Sequence, residues 1–142
     1  MVAARALMIV CAGIVLLLGT LHLIYTFSGS KLLPRDPEVV TSMQRVGLVI
    51  TKETTVWRAW IGFNASHSLG AMLFGLVFGY LAAAVPDVLF GSTFLTIVGF
   101  GMLASLVVLA KLYWFSVPFT GVTIALVCYV VSIGLWRFVR VS

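Results

Sequence analysis

The chain has 142 residues, of which 62% are hydrophobic and 9% are charged, and its formal net charge is +5. Soluble domains carry about 25% charged residues, so this composition excludes an ordinary water-soluble fold and favours lipid as the solvent. The cations lie at the edges of apolar stretches and form no basic stripe with interleaved aromatic residues, which excludes nucleic-acid binding.

Four apolar stretches are long enough to cross a bilayer, since a span needs about 20 residues for a hydrocarbon core of about 30 Å. They cover about residues 7–26, 60–84, 88–110 and 118–136. The first is longer than a signal-peptide core and no small-residue cleavage site follows it, so we interpret it as a retained helix. The sequence therefore predicts an all-α integral membrane protein, with residues 1–142 forming one four-helix bundle domain.

The long connection between the first two spans, residues 28–58, predicts a short amphipathic helix. Asp36, Pro37 and Glu38 are typical of a helix start, as N-cap, first turn and an acid near the positive end of the dipole. Apolar residues then recur at helical spacing, so we expect a helix on the bilayer surface over about 37–46. A short extended stretch near 48–51 would follow it.

Four spans place both termini on one side of the membrane, here called side A, and the 28–58 and 111–117 loops on side B. The side-B cations are Lys31, Arg35, Arg45, Lys52, Arg58 and Lys111. The side-A cations are Arg5, Arg137 and Arg140. A positive-inside count favours a cytoplasmic side B. The side-A arginines abut the membrane, however, and acidic residues dilute the side-B charge, so the sequence leaves the orientation open.

Small residues recur every fourth position along one ridge of the second span. They are Ala71, Gly75, Gly79 and Ala83. This spacing lets helix backbones approach closely in lipid. It indicates either packing within the bundle or a homo-oligomer contact. The two cysteines, Cys11 and Cys128, fall inside spans and are interpreted as packing residues.

Polar side chains inside the spans concentrate in the side-B half, where they form the candidate ligand-binding site. Its residues are His22, Tyr25, Trp60, Asn64, His67 and Ser68. Trp60, Asn64 and His67 follow a spacing that places them on one helix face. Because the side-A half is almost purely apolar, we expect a polar pocket with an apolar floor. Such a pocket suits a lipid-like or quinone-like molecule held by a non-catalytic binding or accessory protein.

Three alternatives remain open for the same residues. In a membrane enzyme, His67 would act as acid or base with Asn64 orienting it. Haem would bind between His22 and His67, although two histidines fall short of the three or four ligands of a zinc site, so no metal site is predicted. In a purely structural subunit that packs through the Ala71–Ala83 ridge, the histidines would only hydrogen-bond Asn64, Ser68 or Tyr25 across helices. The four acidic residues all lie outside the spans, which disfavours a proton-driven exporter.

Several short segments resemble a bacterial family of small four-helix membrane proteins. The segments that carry the resemblance are 21–26, 36–37, 43–44, 53–57 and 62–70. The resemblance covers about the first half of the chain, implies a bacterial inner-membrane location and supplies no activity. The chain is also similar, in architecture more than in motif, to DoxX-type four-helix proteins.

Overall fold

The computed structural model describes residues 1–141 and is almost entirely helical. Its elements are α1 (Val2–Phe27), α2 (Pro37–Arg45), β1 (Gly47–Leu48), β2 (Thr51–Thr55), α3 (Val56–Ala84), α4 (Pro86–Gly91), α5 (Thr93–Tyr113) and α6 (Ser116–Val141). Helices α1, α3, α5 and α6 are long and apolar enough to cross a membrane. The prediction of an all-α, four-span membrane fold with a short helix in the first loop is confirmed.

The outward surfaces of the four spans are apolar. Between 28% and 33% of the residues in the most apolar window of each span are buried. Large side chains such as Leu73, Phe94 and Val127 are more than half exposed. Contiguous apolar surface of this extent is unfavourable in water and is expected where acyl chains surround the helices. We therefore describe the chain as a multi-pass integral membrane protein.

The chain divides into two compact units. The bundle unit comprises Met1–Leu18 and the chain from Ala71 onward, and the loop unit comprises Gly19–Gly70. In the core of the bundle unit, Tyr129 is fully buried and its hydroxyl donates to the Thr96 carbonyl oxygen at 2.9 Å. Ser132, also fully buried, donates to the Ala4 carbonyl oxygen at 2.7 Å. Both buried hydroxyls are thus satisfied by backbone acceptors, as a dry core requires.

The small-residue ridge of α3 packs against α1 within the bundle unit. A Cβ added to Gly75 would lie 2.7 Å from both the Ala12 carbonyl oxygen and Leu16 Cβ, and a Cβ on Gly79 would lie 3.5 Å from Ala12 Cβ. The small residues at every fourth position are therefore explained by close packing of α3 against α1 of the same chain. A homo-oligomer contact through Ala71, Gly75, Gly79 and Ala83 stays a prediction. Both cysteines are free, and Cys11 is buried in the core as expected.

The predicted third span, about 88–110, is wrong at its beginning. Pro86 begins a separate short helix, α4, which ends at Gly91, and the membrane helix α5 begins only at Thr93. Ser92 between them is the N-cap of α5, and its hydroxyl accepts from the Leu95 amide at 3.2 Å. Apolar composition continues across this break, so a search for apolar runs does not detect it. Ser92, a residue type favoured at helix N-caps, was the sequence signal for this break.

The loop unit contains the predicted short helix, α2, and a hairpin whose turn falls within the extended stretch expected near 48–51. The Asp36 carboxylate accepts from the Glu38 amide at 2.8 Å and so caps α2, which ends at Arg45. Strands β1 and β2 then pair antiparallel, with Leu48 opposite Thr51. The turn between them consists of residues 49–50. Two-residue turns favour Gly, Asn or Asp. None of these occupies residues 49–50, so the sequence did not indicate the hairpin.

Candidate functional site

The structure brings three of the predicted residues together in the loop unit. His22 on α1 and Asn64 on α3 form a hydrogen bond, with 2.9 Å between His22 Nε2 and Asn64 Oδ1. The Asn64 amide nitrogen donates to the Trp60 carbonyl oxygen, one turn earlier on α3, at 2.8 Å. All three side chains are half-buried. The hydrogen bond between side chains of two different helices is the central feature of the site.

The direction of this hydrogen bond follows from the Asn64 amide. Because the amide nitrogen must face the Trp60 carbonyl oxygen, the amide oxygen is the atom that faces His22. An oxygen cannot donate, so His22 Nε2 carries the proton and Asn64 accepts it. In the neutral ring, His22 Nδ1 is then an acceptor.

His67 completes a pair of imidazoles. Its ring centroid lies 5.6 Å from that of His22, and the ring planes meet at 81°, which is an edge-to-face arrangement. His67 lies one turn beyond Asn64 on α3, as the sequence spacing predicts. The site therefore combines two neighbouring imidazole rings with an amide that is hydrogen-bonded to one of them.

Two buried hydroxyl groups donate to backbone carbonyl oxygens of the site residues. Thr26 donates to the His22 carbonyl oxygen and Ser68 donates to the Asn64 carbonyl oxygen, each at 2.8 Å. Ser68 was predicted as a ligand-binding residue, but it is fully buried and its proton is bonded within its own helix, so its contribution is to the backbone. Sequence reasoning missed Thr26, although its position four residues after His22 was a signal for this bond.

The two predicted aromatic residues are positioned differently. Trp60 stacks on Trp57, with ring centroids 5.4 Å apart and planes at 20°. Tyr25 instead pairs with Lys31, whose Nζ lies 3.0 Å from the phenol oxygen and 4.1 Å from the ring centroid. Trp60 is connected to the histidines through its carbonyl oxygen and Asn64. Tyr25 lies on the same helix as His22, and its contact with Lys31 is exposed.

The donor set fits hydrogen bonding better than metal ligation. Within residues 1–141, no group of three or more His, Cys, Asp or Glu side chains is placed to hold a metal ion. Haem held between two histidines needs a ring nitrogen from each directed at the iron. Here His22 Nε2 is directed at Asn64, and the edge of one imidazole meets the face of the other. The geometry is that of a hydrogen-bonded contact between side chains of two helices.

Comparison of the chain with family models, with curated proteins and with solved structures gives no match. The chemistry of the site therefore has to be argued from its own geometry.

Proposed function

We propose that this protein is a non-catalytic binding or accessory protein for a quinone-like or lipid-like molecule, held at the His22, Asn64 and His67 site. The observation that carries the proposal is the 2.9 Å hydrogen bond between His22 and Asn64, formed between half-buried side chains of two membrane helices. Polar side chains in spans are costly and generally serve function. A binding role uses the acceptor capacity that this bond leaves on His22 Nδ1.

The chemistry of the ligand follows from that capacity. His22 Nδ1 accepts in the neutral ring, so it suits a hydroxyl. A reduced quinone presents hydroxyl groups, and so do many lipid headgroups. Exposed apolar side chains on the same helices, such as Ile24 at 49% and Phe63 at 73%, offer a surface for an apolar tail. An amphiphile would thus enter laterally from the bilayer.

The test is to identify what the protein carries. We expect native mass spectrometry of protein extracted together with its surrounding lipid to show a bound amphiphile, and extraction with solvent to identify it. The amphiphile should be lost in His67→Ala and in Asn64→Ala. Ser66→Ala is the matched control, because Ser66 lies on the same helix, is exposed and donates only to the Phe63 carbonyl oxygen; it should retain the ligand.

Binding of an added quinone supplies a second measurement. The stacked Trp57 and Trp60 lie one to three turns from Asn64 and His67, so a short-chain ubiquinone bound at the site should quench tryptophan emission. Quenching should saturate in the wild type and weaken in His67→Ala. Folded His67→Ala protein that retains both the co-purified ligand and the quenching would contradict the proposal. The histidines would then be helix-packing contacts.

We further propose the bacterial cytoplasmic membrane as the location. The support is the resemblance of the segments 21–26 and 62–70 to a bacterial four-helix family. Fractionation of cells that express the tagged chain tests this directly.

A further inference from the structure

The tip of the β1–β2 hairpin is apolar and projects from the loop unit. Val49 and Ile50 form the turn, and their exposed fractions of 109% and 89% are the highest of any large hydrophobic residue in the part of the chain that the structure describes. A two-residue turn favours Gly, Asn or Asp on conformational grounds. Two β-branched apolar residues therefore have no local reason to occupy it, and a contact outside the unit is the better explanation.

The hairpin is fixed to a membrane helix. The Val56 amide donates to the Val46 carbonyl oxygen at 2.9 Å, and Val56 is the first residue of α3. Strand β2 has 5 residues and so spans at most about 17 Å from the beginning of α3 to the turn, because its register shifts along the way. Since α3 is a membrane span, the apolar tip is held within that distance of the place where α3 enters the bilayer.

Cations flank the apolar tip on the chain. Arg45 ends α2 just before β1, Lys52 lies in β2, and Arg58 lies in the first turn of α3; all three are exposed. Glu53 is adjacent to Lys52 and also exposed, so one acidic residue stands against three cations around the tip. Segments that lie in the interface of anionic membranes combine apolar side chains with flanking Lys and Arg.

We propose that Val49 and Ile50 insert into the headgroup and upper acyl layer of the bilayer that the chain spans, with Arg45, Lys52 and Arg58 contacting anionic lipid headgroups. The size of the tip favours lipid over a protein partner. Stable protein interfaces bury about 800 Å² on each side, which is far more than two side chains at a turn supply. Insertion into lipid requires only that a few apolar groups reach the acyl boundary.

The experiment places an environment-sensitive fluorophore on Ile50→Cys in the full chain, reconstituted in nanodiscs of phosphatidylcholine with or without phosphatidylglycerol. Unsubstituted protein gives the background from Cys11 and Cys128. We expect a blue-shifted emission that is quenched by lipids carrying a doxyl group near the top of the acyl chain. Ser30→Cys, which lies in the same loop and is exposed, is the control and should show water-like emission without quenching.

The role of the cations is tested in the same assay. Replacing Arg45, Lys52 and Arg58 together by Gln should reduce the additional quenching that phosphatidylglycerol produces. Water-like, unquenched emission from Ile50→Cys in both lipids would overturn the proposal. A blue shift that depends on protein concentration and is insensitive to doxyl lipids would also overturn it, because the tip would then contact a second copy of the chain.

Discussion

At the scale of single residues, Asn64 determines which nitrogen of His22 carries the proton. Its amide oxygen accepts from His22 Nε2, and this orientation is fixed by the bond from its amide nitrogen to Trp60. In Asn64→Ala, the His22 proton loses this acceptor, worth about 1 kcal/mol, which corresponds to about a fivefold change in tautomer ratio. We expect imidazole ¹⁵N shifts to report Nε2–H at His22 in the wild type and a mixture of tautomers in the variant. An unchanged tautomer in Asn64→Ala would contradict this role.

Gly75 is the residue at which the approach of α1 and α3 leaves no room for a side chain. The atoms nearest to an added Cβ include the Ala12 carbonyl oxygen and the Leu16 amide nitrogen, at 2.7 and 2.9 Å, and backbone atoms cannot rotate away. We expect Gly75→Ala to destabilise the protein by about 1–3 kcal/mol, although Ala is the better helix former by about 1 kcal/mol.

Gly70 on the same helix provides the matched control for Gly75. An added Cβ there meets nothing within 4 Å, so Gly70→Ala should be neutral or stabilising. Thermal unfolding in one detergent measures both variants. Equal stability of the two would show that α1 and α3 separate readily at Gly75.

At the scale of elements, the end of α3 is capped by a side chain from α1. Arg5 Nε donates to the Ala82 carbonyl oxygen at 3.2 Å, and Arg5 Nη2 donates to the Ala83 carbonyl oxygen at 2.7 Å. The final carbonyl groups of a helix lack partners within it, and a cation also interacts favourably with that end of the dipole. The guanidinium group satisfies two consecutive carbonyl groups at once, which a single ammonium group does less well.

We therefore expect both Arg5→Ala and Arg5→Lys to destabilise the protein, by about 1 kcal/mol or more for the alanine variant. Hydrogen exchange should increase at the amides near the end of α3. Arg137→Ala, which removes an exposed arginine of α6, is the control and should leave exchange at α3 unchanged. Lysine performing as well as arginine would show that charge alone, without the two-carbonyl geometry, stabilises this helix end.

Elements with strong local signals were the ones that the sequence predicted well. The apolar length of the four spans and the Asp36 cap of α2 are properties of short stretches, and the structure has all of them, although the third span begins later than predicted. The break at Ser92 and the hairpin turn lack such signals, since apolar residues continue through both. The candidate site was predicted to the same partial extent. The spacing of Asn64 and His67 predicted that they lie on one face of α3. The hydrogen bond from His22 depends on how α1 and α3 align, and the residue pattern of a single helix does not contain that information.

At the scale of the whole molecule, charge distribution favours one orientation. Side B carries six cations against three on side A. Two of the three side-A arginines have partners in the structure, because Arg5 caps α3 and Arg140 forms an ion pair with Asp87. The positive-inside rule counts Lys and Arg near the span ends and thus favours a cytoplasmic side B, an expectation that labelling tests. The proposed hairpin tip would then meet the anionic cytoplasmic leaflet, where a flanking cation adds about 1 kcal/mol of attraction.

Cysteine labelling tests the four-span topology and the orientation together. Val2 and Val139 are exposed near the beginning of α1 and the end of α6, whereas Ser30 follows α1 and Phe115 lies between α5 and α6. We expect a membrane-impermeant maleimide to label Val2→Cys and Val139→Cys in intact spheroplasts. Ser30→Cys and Phe115→Cys should be labelled only after permeabilisation. The reverse pattern would keep the four spans and invert the orientation, while labelling of Val2→Cys and Ser30→Cys from the same side would contradict α1 as a span.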